Sequence, residues 1–268
     1  PVSDTAYNAD RVVATGYFDR PPAGSEHALA WSPDSHWIAF TSPDSRYFRN
    51  VRIVAAVGGE AKPVSFLANV FGNDLSWSPD GKFLLFDTGQ RTEATSVARV
   101  DLVPRTPRFR EDQFRDLFRE ETPKSTTPPA PAQSPALPTE TKTEPRPLGS
   151  GTPIAPVSIT FDDIRLRLKL LPVGVDVDSQ IISPDGKTLL LIASAARQQN
   201  LYTYSLDELA KDPPVARQLT STPGRKSHAQ WSPDSKEVFY LETGKITIMP
   251  IESRVAKPLA VTAEMDVN

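Results

Sequence analysis

A four-residue phrase recurs along this chain, and each copy is followed by the same kind of apolar run. The copies read Trp31-Ser32-Pro33-Asp34, Trp77-Ser78-Pro79-Asp80, Ile182-Ser183-Pro184-Asp185 and Trp231-Ser232-Pro233-Asp234. Each is completed by Ser or Gly, and behind them stand Trp37–Phe40, Phe83–Phe86, Leu189–Ile192 and Val238–Leu241. The first two copies lie 46 residues apart and the last two 49. Self-similarity at roughly 40–50 residues, written in strands and turns, is the sequence signature of a β-propeller. The expected fold is therefore all-β: four recognisable four-stranded blades belonging to a larger propeller.

The phrase is turn chemistry. Pro presets φ for the second position of a type I turn, Ser suits the first, Asp tolerates the third and Gly the fourth. Short aromatic and β-branched runs on either side read as buried strands. A third strand follows in each repeat, at Asn50–Val54, Ser96–Val100, Leu201–Tyr204 and Lys245–Ile248. A fourth is read at Ala61–Val64 in the first repeat and at Val215–Thr220 in the third. Four strands per unit is what a blade requires.

One acid per repeat, always in the same turn, is what repetition of a fold produces, and this outweighs a catalytic reading of the carboxylates. Pro33, Asp34, Pro79, Asp80, Pro184, Asp185, Pro233 and Asp234 are assigned to turn formation, with Asp bonding amides two residues on. Trp31, Trp77 and Trp231 close the apolar runs and are read as inter-blade core. Ile182 replaces them in one repeat without disturbing the pattern.

No chemistry stands out elsewhere. The three histidines, His27, His36 and His228, lack metal-ligand spacing, and neither a Gly-x-Ser-x-Gly elbow nor a phosphate-cradling glycine loop occurs. With no cysteine, thiolate nucleophiles and zinc–thiolate sites are excluded. No catalytic residue, metal or cofactor is implied. His27 and His228 precede motif tryptophans and are expected to be buried imidazoles that bond a neighbouring strand. A net charge of −3 argues against a nucleic-acid partner recruited by bulk electrostatics. No apolar run is long enough to span a membrane, and no leader-like segment opens the chain. Because the chain opens with Pro1 and not Met, it is read as a fragment or a processed product.

Ten of the 27 prolines fall between Thr122 and Val157, where aromatic residues are absent. Such a segment buries too little apolar surface to offset its ordering entropy. It is read as a disordered insertion, and deleting Thr122–Val157 is expected to change stability little. The organisation expected is blades one and two at 1–103, with a remnant of a preceding blade at 1–24. A short helix and the proline-rich insertion then occupy 104–156. Blades three and four fill 157–268, with an exit toward a further domain. The helix is placed over 109–121 from Phe114, Leu117 and Phe118. The alternation Ile164–Leu170 predicts a strand whose basic row, Arg165, Arg167 and Lys169, is a solvated face rather than an anion-binding stripe.

With its repeats laid out, the chain resembles the TolB-like family of propeller repeats, whose blades carry this turn before an apolar strand. Thr41-Ser42-Pro43-Asp44 and Val57-Gly58-Gly59-Glu60 fall where that family places its next hairpin and inter-blade turn. Phe161-Asp162-Asp163-Ile164, then Leu171-Pro172, and the closing stretch 257–267 resemble the propeller region of tricorn-type serine peptidases. That resemblance implies a propeller that guides peptides or unfolded protein toward a PDZ module and a peptidase core downstream. The nucleophile and its histidine would lie in that core, so none is carried onto this chain. Two other readings stay open: a stand-alone TolB-like protein-interaction module without enzymatic activity, and the propeller half of an amidohydrolase. A periplasmic or exported location is implied, with a cytoplasmic one the alternative. Exposed strand edges are expected to favour self-association into a homo-oligomer.

Overall fold

The computed structural model describes residues 11–15, 29–70, 74–90, 92–105, 155–208 and 213–260. These residues form four antiparallel four-stranded sheets, each built in sequence order. Blade I comprises β1 (Leu29–Trp31), β2 (Trp37–Pro43), β3 (Arg49–Ala55) and β4 (Lys62–Pro63). Blade II comprises β5 (Leu75–Trp77), β6 (Phe83–Thr88), β7 (Ser96–Asp101) and β8 (Leu168–Leu171). Blade III comprises β9 (Asp176–Ile182), β10 (Thr188–Ala195), β11 (Gln198–Ser205) and β12 (Arg217–Gln218). Blade IV comprises β13 (Lys226–Trp231), β14 (Glu237–Glu242), β15 (Lys245–Pro250) and β16 (Lys257–Pro258). All four third strands fall where the sequence places them.

Three apolar clusters lie between successive blades. Leu84, Phe86, Ala98 and Val100 of blade II meet Ala39, Val51 and Ile53 of blade I. The other face of the same strands, Phe83, Leu85 and Val97, meets Leu189, Leu191, Tyr202 and Tyr204 of blade III. Leu190, Ile192 and Leu201 then meet Val238, Tyr240 and Met249 of blade IV. Strand alternation thus sends neighbouring residues to two different seams, which is why the runs read as continuously apolar.

The motif tryptophans act at these seams through their indole N–H. Trp77 Nε1 donates to Ala30 O of blade I at 3.1 Å, and Trp231 Nε1 donates to Ile181 O of blade III at 3.2 Å. Ile182 cannot donate; in its blade the fully buried Gln180 reaches Leu85 O of blade II instead, at 3.4 Å. Trp31 departs from the core assignment. It is 44% exposed, and among the described residues no sheet precedes its blade. Residues 11–15 do reach blade I, where Val13 and Ala14 pack on Ile38, Phe40 and Val54.

Four organisational expectations change. β8 lies beyond the insertion but pairs with β7, Val97 opposite Leu171 and Val100 opposite Leu168. Residues 157–171 therefore complete blade II, and blade III starts at Asp176. The alternating strand over 164–170 is also only half a strand: Ile164–Arg167 form a 3-10 turn before β8. Val157, placed at the edge of the insertion, is buried against the core. Lys257 and Pro258, read as the start of an exit segment, pair with β15 as the last strand of blade IV. The helix over 109–121, most of the insertion, His27 and most of the 1–24 remnant lie outside the described residues.

Candidate functional site

Each motif turn joins the first strand of its blade to the second, so the topology sets all four at one end of their blades. Every one closes on itself. Ser32, Ser78, Ser183 and Ser232 are buried, and their hydroxyls accept the amides of Trp37, Phe83, Thr188 and Glu237 at 2.9–3.0 Å. The carboxylates of Asp34, Asp80, Asp185 and Asp234 accept the amide two residues on, at 3.0–3.2 Å. The fourth position is left-handed in each copy, φ 61 at Ser35, 66 at Gly81, 72 at Gly186 and 60 at Ser235, which explains Gly or Ser there. At Asp34, Asp80 and Asp185, burial would raise the carboxyl, but the serine hydroxyl and backbone amides outweigh it and hold it below the usual range. At Asp234 the serine bond leads and the result is the same. Carboxylates locked this way act as acceptors in their turns.

Among the described residues, Asp34 is the motif acid that reaches outside its turn: its second oxygen accepts the Val157 amide at 2.7 Å, across 123 residues of sequence. Val157 in turn fills the space over Gly81, where a Cβ would sit 2.4 Å from its Cγ2. Phe161 stands edge-on to Trp37 at 6.3 Å between ring centroids, beneath Lys62. The chain returning from the insertion is thereby fastened across blades I and II.

The basic row does not form a stripe. Arg167 donates to the carbonyls of Asp101, Asp162 and Thr160. Lys169 joins an ion cluster between blades II and III, where Glu208 accepts from Lys169 at 2.8 Å, Arg105 at 2.6 Å and Arg99 at 3.1 Å. Arg99 is buried, lies 3.8 Å from the Phe83 ring centroid and also pairs with Asp101. Burial would raise the Glu208 carboxyl, but Arg105, Lys169 and Arg99 together hold it down to about 2. Among the described residues, no group of three or more metal-ligating side chains occurs. His228 is exposed, at φ 52 in the irregular stretch of β13 between Ser227 and Gln230, rather than buried as expected.

The opposite end of blades III and IV holds a cavity of about 470 Å³, lined by Arg197, Gln198, Gln199, Pro223 and Arg225. Arg197 belongs to the two-residue turn between β10 and β11, and Arg225 to the link from β12 to β13. Gln198 Nε2 donates to the carbonyls of Ser221 and Thr222, at 2.9 and 3.2 Å, tying turn to link. Gln199 accepts the Lys226 amide at 2.9 Å and donates to Asp178 at 2.9 Å. Behind this wall Lys226 is fully buried; its ammonium donates to the carbonyls of Thr222 and Gln199 and lies 3.5 Å from Glu242. No sequence motif marks this site. Its residues are common types brought together by two loops.

No family model and no curated protein matches the chain. Among solved structures, the chain is similar to TolB from Acinetobacter baumannii, with 14% identity over 98% of this chain and 48% of that one, at a TM-score of 0.56. It is similar to a periplasmic gluconolactonase from Pseudomonas aeruginosa, with 14% identity over 96% of this chain and 61% of that one, at a TM-score of 0.53. The tricorn protease is also similar, with 13% identity over 87% of this chain and 22% of that one, at a TM-score of 0.49. The fold is that of TolB-like β-propellers, and the chain spans about half the length of the TolB structure it matches.

Proposed function

We propose that this chain is a non-catalytic propeller region that holds a peptide or protein segment at the loop end of its blades. The supporting observation is a contrast of carboxylates and cations. The repeated motif acids are taken up by hydrogen bonds to protein amides and serine hydroxyls, whereas the cavity between blades III and IV has walls locked by glutamines and two arginines with no partner among the described residues. An exported, periplasmic location belongs to this proposal. It is favoured by the similarity to a gluconolactonase that is itself periplasmic. Selection of binders from a random peptide library, followed by surface plasmon resonance and mass spectrometry, tests it. Saturable binding with the peptide recovered intact is expected; cleaved peptide, or no selectable binder, would overturn it.

The finer reading, that the propeller feeds a tricorn-type peptidase core, is favoured by the stretch from Phe161 to Pro172. The native coding sequence beyond Asn268 decides it: a PDZ module and serine-peptidase core are expected. Metal-ligand histidines of an amidohydrolase would replace that reading, and a partner bound without any core would leave an interaction module.

A further inference from the structure

We infer that the cavity between blades III and IV is a carboxylate-reading site for an acidic peptide segment; this rests on the peptide-binding reading above. The argument turns on which polar groups are already used. Both glutamine side chains on its wall are committed to protein partners, as are the nearest acids: Asp178 accepts from Gln199 and Ser194, and Glu242 faces Lys226 and Thr222. The guanidinium groups of Arg197 and Arg225 are the lining donors with no partner among the described residues, and both side chains are exposed. A guanidinium presents a planar fork that matches a carboxylate in two parallel bonds.

Arg197 is also held in a conformation that the backbone alone does not favour, and Arg225 is tied through its backbone. Ala196 and Arg197 occupy a two-residue hairpin turn at φ 50 and 65, a conformation that favours Asn-Gly and costs about 1 kcal/mol or more per ordinary residue. On the facing loop, Arg225 O accepts the Thr243 amide at 3.1 Å, which ties the Arg225 backbone to blade IV, and an added Cβ on the neighbouring Gly224 would lie 2.8 Å from Glu242 Cγ. The backbones that carry the two arginines are thus held by the hairpin turn on one side and by a bond to blade IV on the other, which lowers the ordering cost of binding. The volume of about 470 Å³ is in the range of ligand pockets and far exceeds a single tetrahedral anion. An extended segment with a Glu or Asp side chain fills it; an isolated phosphate does not.

Titration calorimetry on the full chain tests this with a capped hexapeptide carrying two glutamates, its glutamine twin, and inorganic phosphate alone. The glutamate peptide should bind at least about tenfold tighter than the twin. Arg197→Gln and Arg225→Gln should each weaken it roughly tenfold, with Arg225→Lys intermediate. Raised salt should weaken it further, while the exposed Arg46→Gln in blade I changes nothing. Twins that bind alike would overturn the carboxylate assignment and leave peptide binding standing. Phosphate that displaces the glutamate peptide at equal affinity would make this a small-oxyanion site and overturn the peptide assignment. If neither peptide binds, the assignment falls, and the library selection decides separately whether the chain binds peptides at all.

Discussion

Blades II and IV are written in the same phrase, yet they are buried differently. All six residues of β6 in blade II are buried, whereas β14 in blade IV buries only Val238 and Tyr240 and leaves Phe239 and Leu241 partly open. The strands themselves do not predict this, since Phe83–Phe86 and Val238–Leu241 are equally apolar. Position does: blade II has blade I on one face and blade III on the other, while blade IV packs on blade III alone among the described residues. Polar ties follow the same division. Trp77, Gln180, the Asp34–Val157 bond and the Glu208 cluster all fasten a face of blade II. A blade's sequence therefore encodes two faces, and its neighbours decide how many are used.

The largest test of this contrast compares two leucines. Leu85→Ala removes a side chain with no exposed surface from the seam of blades II and III and should cost about 2–5 kcal/mol in chemical denaturation. Leu241→Ala, on the open face of blade IV, should cost about 1 kcal/mol or less. Equal costs would show that blade IV has a covered second face, and the comparison would break. A second test moves the end of a deletion. Replacing residues 106–154 by a short linker should leave stability nearly unchanged, because loop length costs little. Extending the cut through Val157 should cost about 2 kcal/mol more, since it removes a buried side chain and the amide that Asp34 accepts. If the two deletions melt alike, the fastening of blades I and II is not carried by this residue.

What the sequence reveals here is whatever repeats locally. The turn phrase, the strands beside it and the third strands are set within about 25 residues by proline, glycine and alternation. The sheet to which β8 belongs is not local: its partner β7 ends at Asp101, before the insertion, and alternation cannot say which sheet a strand joins. A second repeat was equally present but quieter. Ser65 Oγ lies 2.9 Å from Asn50 in blade I, and Thr220 Oγ1 lies 3.0 Å from the Asn200 amide in blade III, each anchoring a fourth strand. Trp31 shows the converse limit, as the residue type is that of the core but no sheet before blade I stands among the described residues. Arg197 and Arg225 carry no motif at all; the one trace in sequence is a hairpin turn written Ala-Arg where Asn-Gly would be relaxed.

Smaller effects sharpen the contrast in its polar ties. Asp34→Ala leaves the Val157 and His36 amides and the Ser32 hydroxyl without their acceptor, and should cost about 2 kcal/mol. Asp234→Ala, whose bonds stay within its own turn, should cost less in the same denaturation experiment. Glu208 gives the smallest effect and the one with a pH signature. Its carboxyl titrates near 4.5 in the unfolded chain and is held down to about 2 in the fold by Arg105, Lys169 and Arg99. A depressed acid stabilises the fold at pH values above 4.5, and that contribution disappears as pH falls from 4.5 toward 2. Because Glu208 and two of its partners are near 40% exposed, water screens the cluster and the contribution should not exceed about 1 kcal/mol. Unfolding curves of the parent and Glu208→Gln should therefore differ at neutral pH and converge below about pH 2. A constant gap across that window would mean that Glu208 holds blades II and III by packing rather than by charge.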